Sequence, residues 1–228
     1  MKQLGSQDLL PRRGQESQSL AGSKVWTVRS RWTPAGRQNE PVTKTQYFTT
    51  TSIDGFIADE HHSLEWLRQT PRGADRFGPF FAGVGAFAMG ANSYRWMLEH
   101  ENLLDQPRKW RTWYGEVPCW VFTHHAQPLV ADANITFVCG DVRPVHEAMV
   151  NAARGKNVWL TGGGDLVGTF ADHGLLDEVI LGVAPVTLGA GAPLLPRRLL
   201  SARLNLIDVE RVGQFAYLTY ALRDPATS

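Results

Sequence analysis

One nine-residue run limits what this chain can fold into. Val158-Trp159-Leu160-Thr161 is apolar and β-prone, Gly162-Gly163-Gly164 follows at once, and Asp165-Leu166 leads into a helical pattern ending at His173. A strand that passes through glycines straight into a helix is the opening half of a βαβ unit. Glycine lets the backbone approach a ligand closely and adopt positive φ. The start of a helix offers free N–H groups and a partial positive charge, which suits a phosphate. The spacing is neither G-x-G-x-x-G nor a glycine-rich loop ending in Gly-Lys-Ser/Thr, so neither common nucleotide fingerprint is present. A tight packing turn accounts for the triplet equally well.

The same grammar recurs along the chain. Thr45–Ser52 reads as a strand, broken by Asp54-Gly55. Ser63 is placed to cap a short helix, and 75–82 and 93–100 read as helices. Ala86–Met89, Cys119–Thr123 and Ile135–Cys139 are short apolar runs of strand length, while 101–116 is tryptophan-dotted and irregular. Val142–Arg154 predicts a helix stopped by Gly155, and Asp177–Pro185 a strand. Leu204–Arg211 and Phe215–Leu222 form a hairpin. Strand and helix alternate first and strands alone follow. The fold class is therefore α/β, a mixed, mainly parallel sheet flanked by helices with an antiparallel C-terminal hairpin.

Composition divides the chain. Residues 1–42 hold seven basic and three acidic residues, many Gln and Ser, and no sustained apolar period. They read as a flexible extension, with Trp26 and Trp32 the only hint of docking. The formal net charge of +1 thus hides a domain, 43–228, of net −3, which argues against a nucleic-acid binder. No apolar run of about 20 residues exists, so no membrane span is expected. Two cysteines, Cys119 and Cys139, make no disulfide framework and fit buried strands in a reducing cytoplasm.

Further candidates sit at strand ends. Met89-Gly90-Ala91-Asn92-Ser93-Tyr94 also joins a buried strand to a helix, with Asn92 or Ser93 as a potential N-cap. Thr123-His124-His125 lies where open α/β sheets bind ligands. No Cys, Asp or Glu cluster of ligand spacing accompanies either it or His61-His62, so no metal is expected.

Three segments together resemble the dihydrofolate reductase-like superfamily. They are Thr51–Ala58 followed by Leu64-Glu65-Trp66-Leu67; Met89–Tyr94; and Leu160–Gly164 with Leu175–Glu178 and Pro185–Gly191. The resemblance is to the bacterial branch similar to the C-terminal reductase domain of the riboflavin-biosynthesis deaminase-reductase, and it covers about residues 43–223. It implies an oxidoreductase that binds NADPH and passes a hydride to a small heterocyclic metabolite, in the manner of a 5-amino-6-(5-phosphoribosylamino)uracil reductase. Carried over, Thr161, Gly162, Gly163, Gly164, Asp165 and Leu166 would hold the pyrophosphate and nicotinamide side. Gly90, Asn92 and Ser93 would take the other flank, and Thr123 and His124 the adenosine ribose. Thr50 and Ile57 would border the nicotinamide, and Asp54 is the candidate catalytic acid. A homodimer is implied as well.

Departures from the family pattern qualify this. Ala91 and Asp165 stand where relatives carry arginines for the 2′-phosphate, and Asp165 would repel it. His124, His125 or Arg143 could compensate. Ser63 replaces the carboxylate that dihydrofolate reductases use for substrate, which argues against folate reduction. A non-catalytic nucleotide-binding or interaction protein on the same fold is the alternative.

Overall fold

Six strands of one direction form the frame of the protein. The computed structural model describes residues 42–71 and 73–223. The extension expected over 1–42 lies, apart from Val42, outside them. The elements run β1 (Thr45–Thr51), β2 (Phe56–Ala58), α1 (Glu65–Arg68), α2 (Phe77–Ala82), β3 (Val84–Gly90), α3 (Ala91–His100), α4 (Arg108–Tyr114) and β4 (Cys119–Phe122). There follow β5 (Ile135–Val138), α5 (Val142–Ala153), β6 (Asn157–Gly162), α6 (Gly164–Asp172), β7 (Glu178–Val183), β8 (Ala192–Pro193), β9 (Leu204–Val212) and β10 (Phe215–Leu222). The sheet order is β5-β4-β3-β6-β1-β7-β10-β9, parallel through β7, with β10 and β9 returning antiparallel.

The order matters more than the class. β4, β3, β6 and β1 are consecutive neighbours pointing the same way. Their C-terminal ends therefore bring Thr123, Gly90, Gly162 and Thr50 to one edge of the sheet, from segments far apart in sequence.

Alternation along β3 shows how the two faces are filled. Ala86 and Ala88 turn to one side, where Val142 and Met149 of α5 and Val167 and Phe170 of α6 pack with Tyr47 and Leu160. Phe87 and Met89 turn to the other, against Tyr94, Leu98, Trp110, Tyr114 and Trp159. Small residues let α5 and α6 sit close, and large ones fill the aromatic side. The helices pack chiefly on β3, β4 and β6. The hairpin is barer, with Leu206, Ile207 and Val209 of β9 about half exposed or more (50%, 49% and 61%).

Several local expectations are corrected. Residues 108–114 are helical, because Trp110 and Tyr114, four apart, bury one face of α4. α6 starts at Gly164 rather than Leu166, so Asp165 lies in its first turn. α3 starts at Ala91, so neither Asn92 nor Ser93 caps it. Asn92 instead accepts a hydrogen bond from Arg95. Ser63 does accept from the Glu65 N–H at 3.0 Å, but Leu64 occupies the capping position of α1. Cys119 is buried as expected, whereas Cys139 is exposed because β5 ends at Val138.

Candidate functional site

The two strand–glycine–helix turns meet. Gly90 is the N-cap of α3 and Gly163 the N-cap of α6, and neither helix has a side-chain cap. A Cβ placed on Gly90 would stand 3.7 Å from the Gly163 nitrogen and 3.8 Å from the Gly162 oxygen. Two helix starts, each with uncapped N–H groups, thus flank one small space. On Gly163 a Cβ would touch nothing within 4 Å. Packing within the described residues does not require glycine at either position. The Gly162–Gly163 peptide is cis.

The surrounding groups suit an amphipathic ligand with anionic linkage. Ile57 and the Tyr47 ring lie about 4 Å from a Cβ built on Gly162. The Thr161 hydroxyl is buried without a hydrogen-bond partner among the described residues, a state that costs free energy unless something satisfies it. Thr50 is half-buried on β1, beside Gly182 of β7. Leu166 packs into the core beneath α6. The Tyr47 hydroxyl donates to the Leu194 carbonyl at 3.1 Å, and burial pushes its pKa well above the ordinary phenol value.

The outer flank is less organised. Thr123 donates to the His125 carbonyl (2.8 Å) and accepts from the His125 N–H (3.2 Å), a turn that leaves His124 exposed. Ser93 is half-buried and Asn92 exposed in the first turn of α3. Asp165 is also exposed; Arg197 reaches it at 3.4 Å while making its better contact, 2.8 Å, to Asp172. Arg143 is held by Asp141, the N-cap of α5.

Asp54 is placed as a latch. Its carboxylate accepts from the Ser52 hydroxyl (2.6 Å) and from the backbone N–H groups of Leu188 (3.1 Å) and Gly189 (2.7 Å). The Ser52 hydrogen bond first, then that from Gly189, lowers its pKa to about 2. At neutral pH this group has no proton to give.

Sequence reasoning marked Pro185–Gly191 but missed the contacts by which its segment completes this side. Residues 186–195 carry β8, which pairs with β2, and they press against the start of α6. A Cβ on Gly164 would lie 2.5 Å from the Pro193 oxygen and 2.6 Å from that of Leu194. The Pro185–Gly191 motif signalled that the segment mattered, but not what it touched.

A mainly parallel sheet flanked by helices, with two helix starts converging at the ends of β3 and β6, makes this an α/β protein whose candidate ligand site lies at that edge. The profile of the RibD C-terminal domain family matches residues 43–217, and the chain belongs to that family. It is similar to the uncharacterised protein YwjB of Bacillus subtilis (strain 168), 30% identical over 178 residues that span 78% of this chain and 97% of YwjB. Among solved structures it resembles a riboflavin-biosynthesis-like protein of Shewanella sp. PV-4, with 24% identity and a TM-score of 0.62 over 80% of this chain and all of that one. It also resembles the diaminohydroxyphosphoribosylaminopyrimidine deaminase/5-amino-6-(5-phosphoribosylamino)uracil reductase of Thermotoga maritima. There the identity is 16% and the TM-score 0.53, over 79% of this chain and 57% of that one. The family gives the protein a reductase-type fold. No helix among the described residues is long and apolar enough to cross a membrane.

Proposed function

We propose that the protein is an NADPH- or NADH-dependent reductase of a small heterocyclic or related metabolite. The observation that carries this reading is the convergence of two uncapped helix starts on a space bordered by Gly90 and Gly163. Packing does not need those glycines, so their use is explained by a ligand that comes close to the backbone. The unpartnered Thr161 hydroxyl supports the same reading.

When bound, the dinucleotide supplies a hydride from its nicotinamide to an unsaturated carbon of the substrate. The backbone N–H groups at the starts of α3 and α6 bind its pyrophosphate. Thr161 offers a hydroxyl at the same edge. Ile57 and Thr50 border the nicotinamide, and Ile57 helps keep water away. His124 and Thr123 lie toward the adenosine end. Asp54 orders the loop rather than donating a proton, so the proton that completes reduction comes from another donor, such as solvent. Asp165 works against a 2′-phosphate and Arg197 offsets it in part, so the two cofactors compete on closer terms than the family pattern suggests. We also propose that it works in the cytoplasm and as a homodimer, and the exposed apolar residues of β9 support the second of these.

Titration of the purified protein with NADPH and NADH, followed by nicotinamide fluorescence and thermal shift, tests the reading. Saturable binding of at least one cofactor, with a rise in Tm, is expected. Absence of both sinks the reductase. Binding without turnover of any pyrimidine-type substrate favours the nucleotide-binding alternative, which the ionised state of Asp54 makes a real competitor.

A further inference from the structure

Residues 186–195 touch both walls of the candidate site. At one end, the Leu188 and Gly189 N–H groups donate to Asp54, and the Ile53 N–H donates to the Val186 carbonyl at 2.8 Å. In the middle, Gly191 at φ +146 lies so close to the Ala58 carbonyl that a Cβ would come within 2.0 Å of that oxygen. At the other end, the Leu194 N–H donates to the Gly55 carbonyl at 2.9 Å, and the Leu194 carbonyl accepts from Tyr47. The carbonyls of Pro193 and Leu194 then rest directly on Gly164, the first residue of α6.

We infer that residues 186–195 form a strap coupling the loop 52–58 to the glycine turn, and that Asp54 is the positioning residue that fastens it. The inference rests on the reading of the glycine turn as the dinucleotide site. A rigid chain of contacts joins the loop over that site to the helix start that would hold the pyrophosphate. Loosening the latch therefore frees the loop and shifts the start of α6, although the Asp54 carboxylate bonds only Ser52, Leu188 and Gly189 among the described residues. One carboxylate fastens three donors, two of them backbone, so its charge does more than fill space. The strap makes access to the site depend on the order of the loop, in the way that lids tune many enzymes.

Amide hydrogen exchange on the cofactor-free protein, alongside NADPH titration, tests the strap. In Asp54→Asn the Leu188 and Gly189 amides are expected to exchange about tenfold faster, the size of one weakened charge-assisted bond. The Leu194 amide, which bonds Gly55 and not Asp54, is expected to speed up with them. NADPH affinity is expected to fall about tenfold, and Asp54→Glu to recover part of it. Ser52→Ala removes the 2.6 Å bond to Asp54 together with the 2.9 Å bond that Ser52 accepts from the Phe56 N–H, leaves both backbone donors to Asp54 in place, and gives a weaker copy of the same pattern at Leu188 and Gly189 if Asp54→Asn does not fold. Faster exchange at Leu188 and Gly189 with Leu194 and NADPH affinity unchanged would overturn the strap. If the wild-type protein binds no nicotinamide cofactor, the reductase reading falls, and the Leu194 exchange alone decides whether the strap exists.

Discussion

The two glycine turns look alike in sequence and differ in what holds them. In the β6–α6 turn, Gly164 is demanded by the fold, since two backbone oxygens of residues 193 and 194 occupy the place of a side chain. In the β3–α3 turn, a Cβ on Gly90 would make only ordinary contacts at 3.7 and 3.8 Å. Gly163 belongs with Gly90 in this respect, although it adjoins Gly164. A glycine required for packing and one left free beside an open space carry different information. The first reports on architecture and the second on what the architecture is built to receive.

The sharpest way to break this comparison is substitution. Gly164→Ala is expected to cost about 3 kcal/mol of stability, because the clash is with backbone and cannot relax cheaply; urea denaturation measures it. Gly163→Ala, at φ −67, is expected to change stability by less than about 0.5 kcal/mol. It should nonetheless weaken NADPH binding about tenfold. A Gly163→Ala protein that binds as the wild type does would remove the case for a ligand at the turn. Gly90→Ala falls between, with a stability change under about 1 kcal/mol and a smaller loss of affinity.

Two weaker perturbations sharpen the contrast. Asp165→Asn removes an exposed carboxylate from the first turn of α6. It is expected to raise NADPH affinity about two- to threefold while leaving NADH nearly unchanged, within the modest scale of exposed charges. His146 offers a control at the opposite end of β1, where it shares a 2.7 Å hydrogen bond with Thr45. Burial first lowers its pKa, while the charges of Asp177 and Glu147 push the other way. A lowered histidine pKa means that the fold prefers the neutral ring. Its contribution is full above the ordinary value of about 6.5 and is lost as pH falls below it. His146→Gln should flatten the decline of Tm on that acid side and leave cofactor affinity alone.

Much of the frame was legible because its signals are local. Apolar runs of strand length, the glycines after β6 and the hairpin around Val212–Gln214 announce themselves by composition and period. Helix α4 did not, because the polar residues Arg108, Lys109, Arg111 and Thr112 mask the single buried face of Trp110 and Tyr114. Its helicity comes from tertiary burial, which no local pattern records. The site divides along the same line. Gly90 and Gly162–Gly163 could be singled out from their context, whereas their meeting, close enough for a Cβ on Gly90 to stand within 4 Å of Gly162 and Gly163, depends on β3 pairing with β6 across the chain. The contacts of Asp54 were hidden for a similar reason, since Asp-Gly reads as a turn and its backbone partners, Leu188 and Gly189, lie more than 130 residues away.

The central position of β1 has a consequence during synthesis. Thr45–Thr51 leaves the ribosome well before both of its partners, Asn157–Gly162 and Glu178–Val183, which come more than 100 residues later. Until then a strand destined for the middle of the sheet has two unsatisfied edges, and such long-range parallel pairing closes slowly. Fragments that stop before β6 should therefore aggregate rather than fold, and residues 157–183 are the point in translation at which the chain first becomes able to protect its own beginning.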